Sequence, residues 1–207
     1  MIDVAPSGRR PGTLLICGFG PFPESPENPS GPVAQALPAL LAGMPARALT
    51  APTAWSSAYE TVAEAAEGCA AVLLLGVDPA GDHFEVEMRA RNEVSLSRVD
   101  AAGARRAWRR ISRSGPAVAR STAPVAAMVR AIGREGLPAR ASSDAGDYLC
   151  NYTLYRLLTE RPALVTGFLH LPTGADFDRE ALTRGAQAAA LAFAGVLRTP
   201  APAFAEA

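Results

Sequence analysis

The sequence predicts an α/β fold: a single-domain, three-layer α/β/α sandwich around a mostly parallel twisted sheet. Three observations predict it. Short apolar runs, TLLIC at 13–17, CAAVLLLGV at 69–77 and ALVTGFLHL at 163–171, alternate with longer segments of helical character. These runs are continuously apolar, as parallel strands covered by helices on both faces are. The length, 207 residues with 49% hydrophobic and 19% charged residues, suits one domain over 1–207 with one core and no repeat.

The elements follow in order. Residues 1–12 are polar with Pro and Gly and read as a loose end. TLLIC (13–17) is a buried strand stopped by Gly18, and GFGPFPESPENPSG (18–31) is too rich in Pro and Gly for a regular element. Pro32 to Leu41 reads as a helix opening on a proline, which a first turn tolerates. ARALTA (46–51) is a short strand, Ser56 to Glu67 a helix, and 69–77 a strong buried strand. Phe84 to Val94 alternates in part and reads as one longer strand. Ala101 to Ser114 is basic and irregular, and Pro124 to Arg134 is a helix that stops before Gly136 and Pro138. A short strand at 139–142, a helix from Asp147 to Glu160, the strand at 163–171 and a last helix from Phe177 to Leu197 complete the order, with a loose tail from 200 to 207.

Composition excludes several function classes. Acidic and basic residues balance at 20 each, and every basic residue is Arg, so no bulk charge draws nucleic acid or an anionic membrane. No segment has the length to span a bilayer, and the first apolar run, Leu14 to Cys17, is too short for a secretory leader. Cys17, Cys69 and Cys150 are odd in number and widely spaced, which fits neither a disulfide framework nor a metal pattern. The expectation is a reducing, cytoplasmic compartment.

In such sheets chemistry gathers where strands end. Cys150 lies in DAGDYLCNYTLYRLL (144–158), at the start of a helix. A helix N-terminus stabilises a thiolate, Gly146 permits a tight turn before it, and the free N–H groups there can hold an oxyanion. The competing reading is a buried stripe of Cys150, Leu154 and Leu157. His170 closes an apolar strand, where an imidazole can project into a crevice and move protons; a hydrogen-bonded structural histidine is the alternative. Alternation places Glu87 with Glu85 and Arg89, opposite Phe84, Val86 and Met88. It could orient an imidazole or simply belong to a solvated face. Phe19 and Phe22, on a loop stiffened by Pro21 and Pro23, could wall a small apolar pocket or anchor the loop.

Two further motifs are set aside. GFGPF (18–22) lacks the third glycine of a dinucleotide loop, since position 23 is proline. The run Arg105, Arg106, Arg109, Arg110 and Arg113 carries one aromatic, Trp108, and reads as a solvated face or subunit contact.

Together these segments resemble the pyroglutamyl peptidase I family of cysteine peptidases. The resemblance rests on AGDYLCNYTLY (145–155), GFLHLP (167–172), EMRARN (87–92), CGFGPFPE (17–24) with NPS (28–30), and SGPAVARSTAPVAAMV (114–129), in the family's order from about Leu14 to Leu197. It implies Cys150 as nucleophile, His170 as general base and acid, and Glu87 as the group that orients the imidazole. It implies Phe19 and Phe22 as the rings that sandwich a lactam. Arg98, in SRVDAAG, matches with a one-residue offset an arginine that helps at the oxyanion. The implied substrate is a peptide with an N-terminal pyroglutamyl group. A homo-oligomer, dimer or tetramer, is implied, and no cofactor or metal.

The sequence also departs from the family's pattern. GVDPAGDH (76–83) lacks the family's Gln and Arg, Pro23-Glu24 replaces a double glycine, and Asp147 replaces a threonine near the nucleophile. An anion there would oppose thiolate formation. Two alternatives therefore stay open: a cysteine amidohydrolase acting on another blocked or cyclic amide, and a non-catalytic homologue.

Overall fold

A computed structural model describes residues 12–198, so the loose ends expected at 1–12 and 200–207 fall, Gly12 apart, outside the described residues. The elements run β1 (Thr13–Phe19), α1 (Ser30–Ala36), β2 (Leu40–Leu41), β3 (Met44–Ala51), α2 (Ala58–Ala65), β4 (Cys69–Asp78), β5 (Phe84–Glu87), β6 (Arg89–Arg91), β7 (Val118–Arg120), α3 (Val125–Arg134), β8 (Ala139–Ser142), α4 (Leu149–Glu160), β9 (Val165–Pro172) and α5 (Arg179–Arg198).

Seven strands form one sheet in the order β2-β3-β1-β4-β9-β5-β8. The pairs β1–β3, β1–β4, β4–β9 and β5–β8 are parallel; β2–β3 and β5–β9 are antiparallel. Helices α1, α3 and α5 pack together, and α2 packs with α4. The expected three-layer α/β arrangement is therefore present. The central strands bury nearly every side chain, with Leu14, Val72, Leu73, Leu74, Leu75, Phe168 and Leu169 fully enclosed. This is why they read as unbroken apolar runs.

β1 runs through Gly18 to Phe19 instead of stopping at Gly18, and several other ends move by one to a few residues. Four of the differences have a clear local reason. The helix expected at 32–41 runs only from Ser30 to Ala36. Leu37 is extended (φ −74°, ψ 147°) because Pro38 follows it. The chain then turns through Ala42 and Gly43, both at positive φ, into a small β2–β3 hairpin. The single strand expected at 84–94 splits at Met88. β5 stays in the main sheet, while β6 leaves it to pair with β7. β7 is only three residues long and has no readable period. Helix α4 starts at Leu149 rather than Asp147, because Gly146 turns at φ +76° and Tyr148 is extended. Helix α5 starts at Arg179 rather than Phe177, because the Asp178 carboxylate accepts the Ala181 N–H at 2.8 Å and caps it.

Candidate active site

Alternation along β9 sends Gly167 towards α5, where an added Cβ would lie 3.7 Å from Phe193, and Phe168 and His170 to the other face. β5 beside it sends Phe84 against Gly185 of α5, and Glu85 and Glu87 towards His170. The Glu87 carboxylate is completely buried and meets His170 Nδ1 at 2.8 Å. The solvated-face reading of Glu87 is thereby overturned: both faces of β5 are buried.

Helix α4 brings the thiol to the same place. Cys150 is the second residue of the helix, in the turn whose N–H groups lack intrahelical carbonyls. Leu154 and Leu157 do form a fully buried stripe, but Cys150 is only half-buried and lines a cavity. Asn151, fully buried, fixes the start of the helix. Its side chain accepts from the Arg91 N–H (2.7 Å) and donates to the Arg91 and Glu93 carbonyls (2.9 and 2.8 Å). Gly76 of β4, in register with His170, leaves room for the sulfur; a Cβ there would sit 2.9 Å from Cys150 Sγ.

Burial pushes the His170 imidazolium towards losing its proton. Hydrogen bonds to Cys150 and Glu87 outweigh burial, and the pKa is raised above its ordinary 6.5. Cys17 provides the contrast, since burial alone drives its thiol up to about 12.

The cavity has a volume of about 690 Å³ and opens at the C-terminal ends of β1, β4 and β9. Phe19 and Phe22 line it, both largely buried. Their loop is held by Asn28, which donates to the Gly20 carbonyl at 2.9 Å, by Thr53, which donates to the same carbonyl at 2.7 Å, and by Ser30, whose Oγ accepts the Phe19 N–H at 3.0 Å. The Phe22 ring tilts against Tyr148, which meets Trp55 edge-on. Arg98 also lines the cavity, with its guanidinium 4.3 Å from the Tyr148 ring centre and within 3.6 Å of Asp147 and 3.7 Å of Glu24. All six residues singled out in the sequence, Cys150, His170, Glu87, Phe19, Phe22 and Arg98, therefore line or directly adjoin one cavity.

Residues 12–186 match the family described as pyroglutamyl peptidase. The pyrrolidone-carboxylate peptidase of Levilactobacillus brevis is 35% identical over 165 residues, covering 77% of this chain and 81% of the relative. That of Cupriavidus necator is 35% identical over 170 residues, covering 77% and 78%.

The chain belongs to the pyroglutamyl peptidase family.

The pyrrolidone carboxyl peptidase of Thermus thermophilus has the same architecture, with TM-score 0.79, 29% identity and coverage of 87% of this chain and 99% of that one. The pyroglutamyl peptidase I of Bacillus amyloliquefaciens shares the fold with TM-score 0.82 at 23% identity, covering 89% and 96%.

Sequence reasoning missed several polar residues that tie distant segments of this chain together, one of them, Glu85, on the cavity lining. Asp100, almost fully buried, accepts backbone N–H groups from Trp55, Ala102 and Ala104. Asn92 makes four bonds to backbone groups of residues 111, 112 and 115. Glu85 meets Arg140 of β8 in a parallel register pair, with Arg140 Nε and one terminal nitrogen at 2.9 and 2.5 Å from one carboxylate oxygen. Their long-range partners are not marked locally: Asp100 reaches Trp55, Asn92 reaches residues 111 to 115, and Glu85 reaches Arg140. Among the described residues, Glu85, Glu87 and His170 form the one cluster of His and carboxylate donors, all within 4.8 Å of one another, and the Arg140 guanidinium is its counter-cation.

Within the basic run Arg106 is half-buried, with its guanidinium 5.1 Å from the Tyr152 ring centre, and the rest is open. Arg105, Arg109, Arg110 and Arg113 are exposed, and Trp108 is 68% exposed. No helix among the described residues is long and apolar enough to cross a membrane.

Proposed function

We propose that the protein removes an N-terminal pyroglutamyl residue from peptides by a thioester mechanism on Cys150. The observation that carries this reading is the buried His170–Glu87 hydrogen bond, with His170 and Cys150 both lining the cavity that Phe19 and Phe22 also line. A pyroglutamyl group has no free α-amine, so an apolar slot that grips the lactam ring suits it better than an ammonium site. The Cys150 thiolate attacks the carbonyl carbon that joins the pyroglutamyl residue to the next residue. The C–N bond breaks, and the leaving amine takes its proton from the His170 imidazolium. Water then attacks the thioester while neutral His170 takes its proton, and the thiolate departs. Glu87 holds the imidazole through Nδ1 and leaves the other nitrogen facing the thiol. The N–H groups of the first turn of α4 hold the developing oxyanion, and Arg98 adds positive charge from the cavity wall; one such N–H donor is worth about 3 kcal/mol in other enzymes.

The same reading places the protein in the cytoplasm, as a homo-oligomer, with no cofactor. The odd, widely spaced cysteines support the compartment, and all three are free thiols. Light scattering on the purified chain tests the assembly. The activity test is fluorescence release from a pyroglutamyl-coumarin amide by the wild type and by Cys150→Ala. Release by the wild type alone is expected. Equal release by the folded variant would overturn the assignment of the nucleophile.

A further inference from the structure

The imidazole of His170 faces two carboxylates, and the mechanism above uses one. Glu85 precedes Glu87 by two residues on β5 and points to the same side. Its Cα is the register partner of His170, and its carboxylate lies within 4.8 Å of donor atoms of both His170 and Glu87. It is 9% exposed. Two anions this close to one imidazolium raise its proton affinity and disfavour a neighbouring thiolate. Glu87 has little other compensation, since its second oxygen is buried with no hydrogen-bond donor.

Glu85 does not stand uncompensated. Arg140, from the edge strand β8, places two nitrogens on one of its oxygens. His83 Nε2 approaches the same oxygen at 3.3 Å. Arg140 is itself mostly exposed, so its stem gains little by burial there. What it contributes is a charge. Both Glu85 and Arg140 line the catalytic cavity.

We infer that Arg140 and Glu85 are a positioning pair for the proposed reaction: Arg140 masks the second carboxylate so that the Cys150–His170 couple answers to Glu87 alone. The inference rests on the reading of Cys150 and His170 as the reacting pair. The groups facing His170 are Glu85 and Glu87 from β5 and Cys150 from α4; Asp78, at the end of β4, lines the same cavity. Arg140 and His83 reach the imidazole only through Glu85. Arg98, Asp144 and Asp147 lie elsewhere on the cavity lining.

The test is a charge cycle of Arg140→Gln, Glu85→Gln and the double variant. Two pH profiles are read: kcat/KM on the pyroglutamyl-coumarin amide, and Cys150-specific alkylation by iodoacetamide followed by peptide mass spectrometry. Arg140→Gln exposes the Glu85 charge and is expected to move both limbs of each profile up by about half to one pH unit. Glu85→Gln leaves a lone guanidinium and moves them down by a similar amount. The double variant returns them to the wild-type position. Unshifted profiles in both single variants, or a double variant no closer to wild type than either, would overturn the inference. A merely structural pair would lower activity or melting temperature without moving the limbs. Alkylation needs no substrate, so a wild type that fails to cleave the amide would refute the proposed activity and still leave this charge effect to be read.

Discussion

Gly76 is where the cavity has least room to give. It lies in β4 opposite His170, and a Cβ built on it would fall 2.6 and 2.8 Å from two ring atoms of Phe168 and 2.9 Å from Cys150 Sγ. Non-bonded carbons rest at about 3.5–4.0 Å, so Gly76→Ala requires a shift of roughly 1 Å. Neither neighbour yields easily. Phe168 is fully buried and packs on His170 with ring centres 4.6 Å apart. Cys150 sits on a helix start pinned by Asn151. Overpacking of this kind costs about 1–3 kcal/mol, which lowers the melting temperature by roughly 2–12 °C in a chain of this size. A displacement near 1 Å at the reacting atoms costs on the order of 10²-fold in rate. The assay pairs thermal melting with kcat/KM on the pyroglutamyl-coumarin amide. Gly133→Ala is the control. That glycine lies inside α3 with open space where a Cβ would go, so alanine there should be neutral or stabilise by about 1 kcal/mol. Wild-type melting and wild-type turnover in Gly76→Ala would refute the claim that β4 sets the position of the sulfur.

Two other outcomes are expected. Asn151→Ala leaves three half-buried backbone groups at residues 91 and 93 without their partner, costing about 1–3 kcal/mol and lowering the melting temperature by roughly 2–12 °C; an unchanged melt would mean that the loop is held elsewhere. The raised His170 pKa predicts a stability contribution that is fully present below pH 6.5 and fades as pH rises through the higher folded value. Glu87→Gln should flatten that dependence in melts taken across neutral and alkaline pH, and an identical slope in the variant counts against the His170–Glu87 coupling.

Much of the fold was legible because the central strands are buried on both faces and so write themselves as apolar runs. Cys150 and His170 were legible for a related reason. Each stands at the end of such a regular element, where a chemical side chain is conspicuous. Glu87 was half legible: alternation gave its side of the strand, but not whether that side meets water or an imidazole. The supports were not legible. Arg140 and Glu85 are 55 residues apart, Asn151 and Arg91 are 60 apart, and Asp100 and Trp55 are 45 apart. Glu85, Arg140, Asn151 and Asp100 are ordinary polar residues along the sequence until the fold brings their partners beside them. Met88 misled for the opposite reason: the alternation continues past it in sequence while the backbone changes sheets.

Two carboxylates near the cavity look independent along the chain and are not so in space. Glu24 lies in the loop after β1, and Asp147 just before α4. Each adds a carboxylate, and alone each would place an anion near the thiol. In the structure both reach the Arg98 guanidinium, Glu24 at 3.7 Å and Asp147 at 3.6 Å, while the same group stacks over Tyr148. One cation thus answers two anions, and the aromatic face beneath restricts where it can sit. Asp147 is half-exposed, so its pairing with Arg98 is weak as a source of stability. Its importance is local: the charge expected to oppose the thiolate is drawn sideways, towards Arg98. Glu24 and Asp147 thus form one charged arrangement around Arg98, on the wall of the cavity that also holds Phe22. The Cys150–His170–Glu87 series lies outside it.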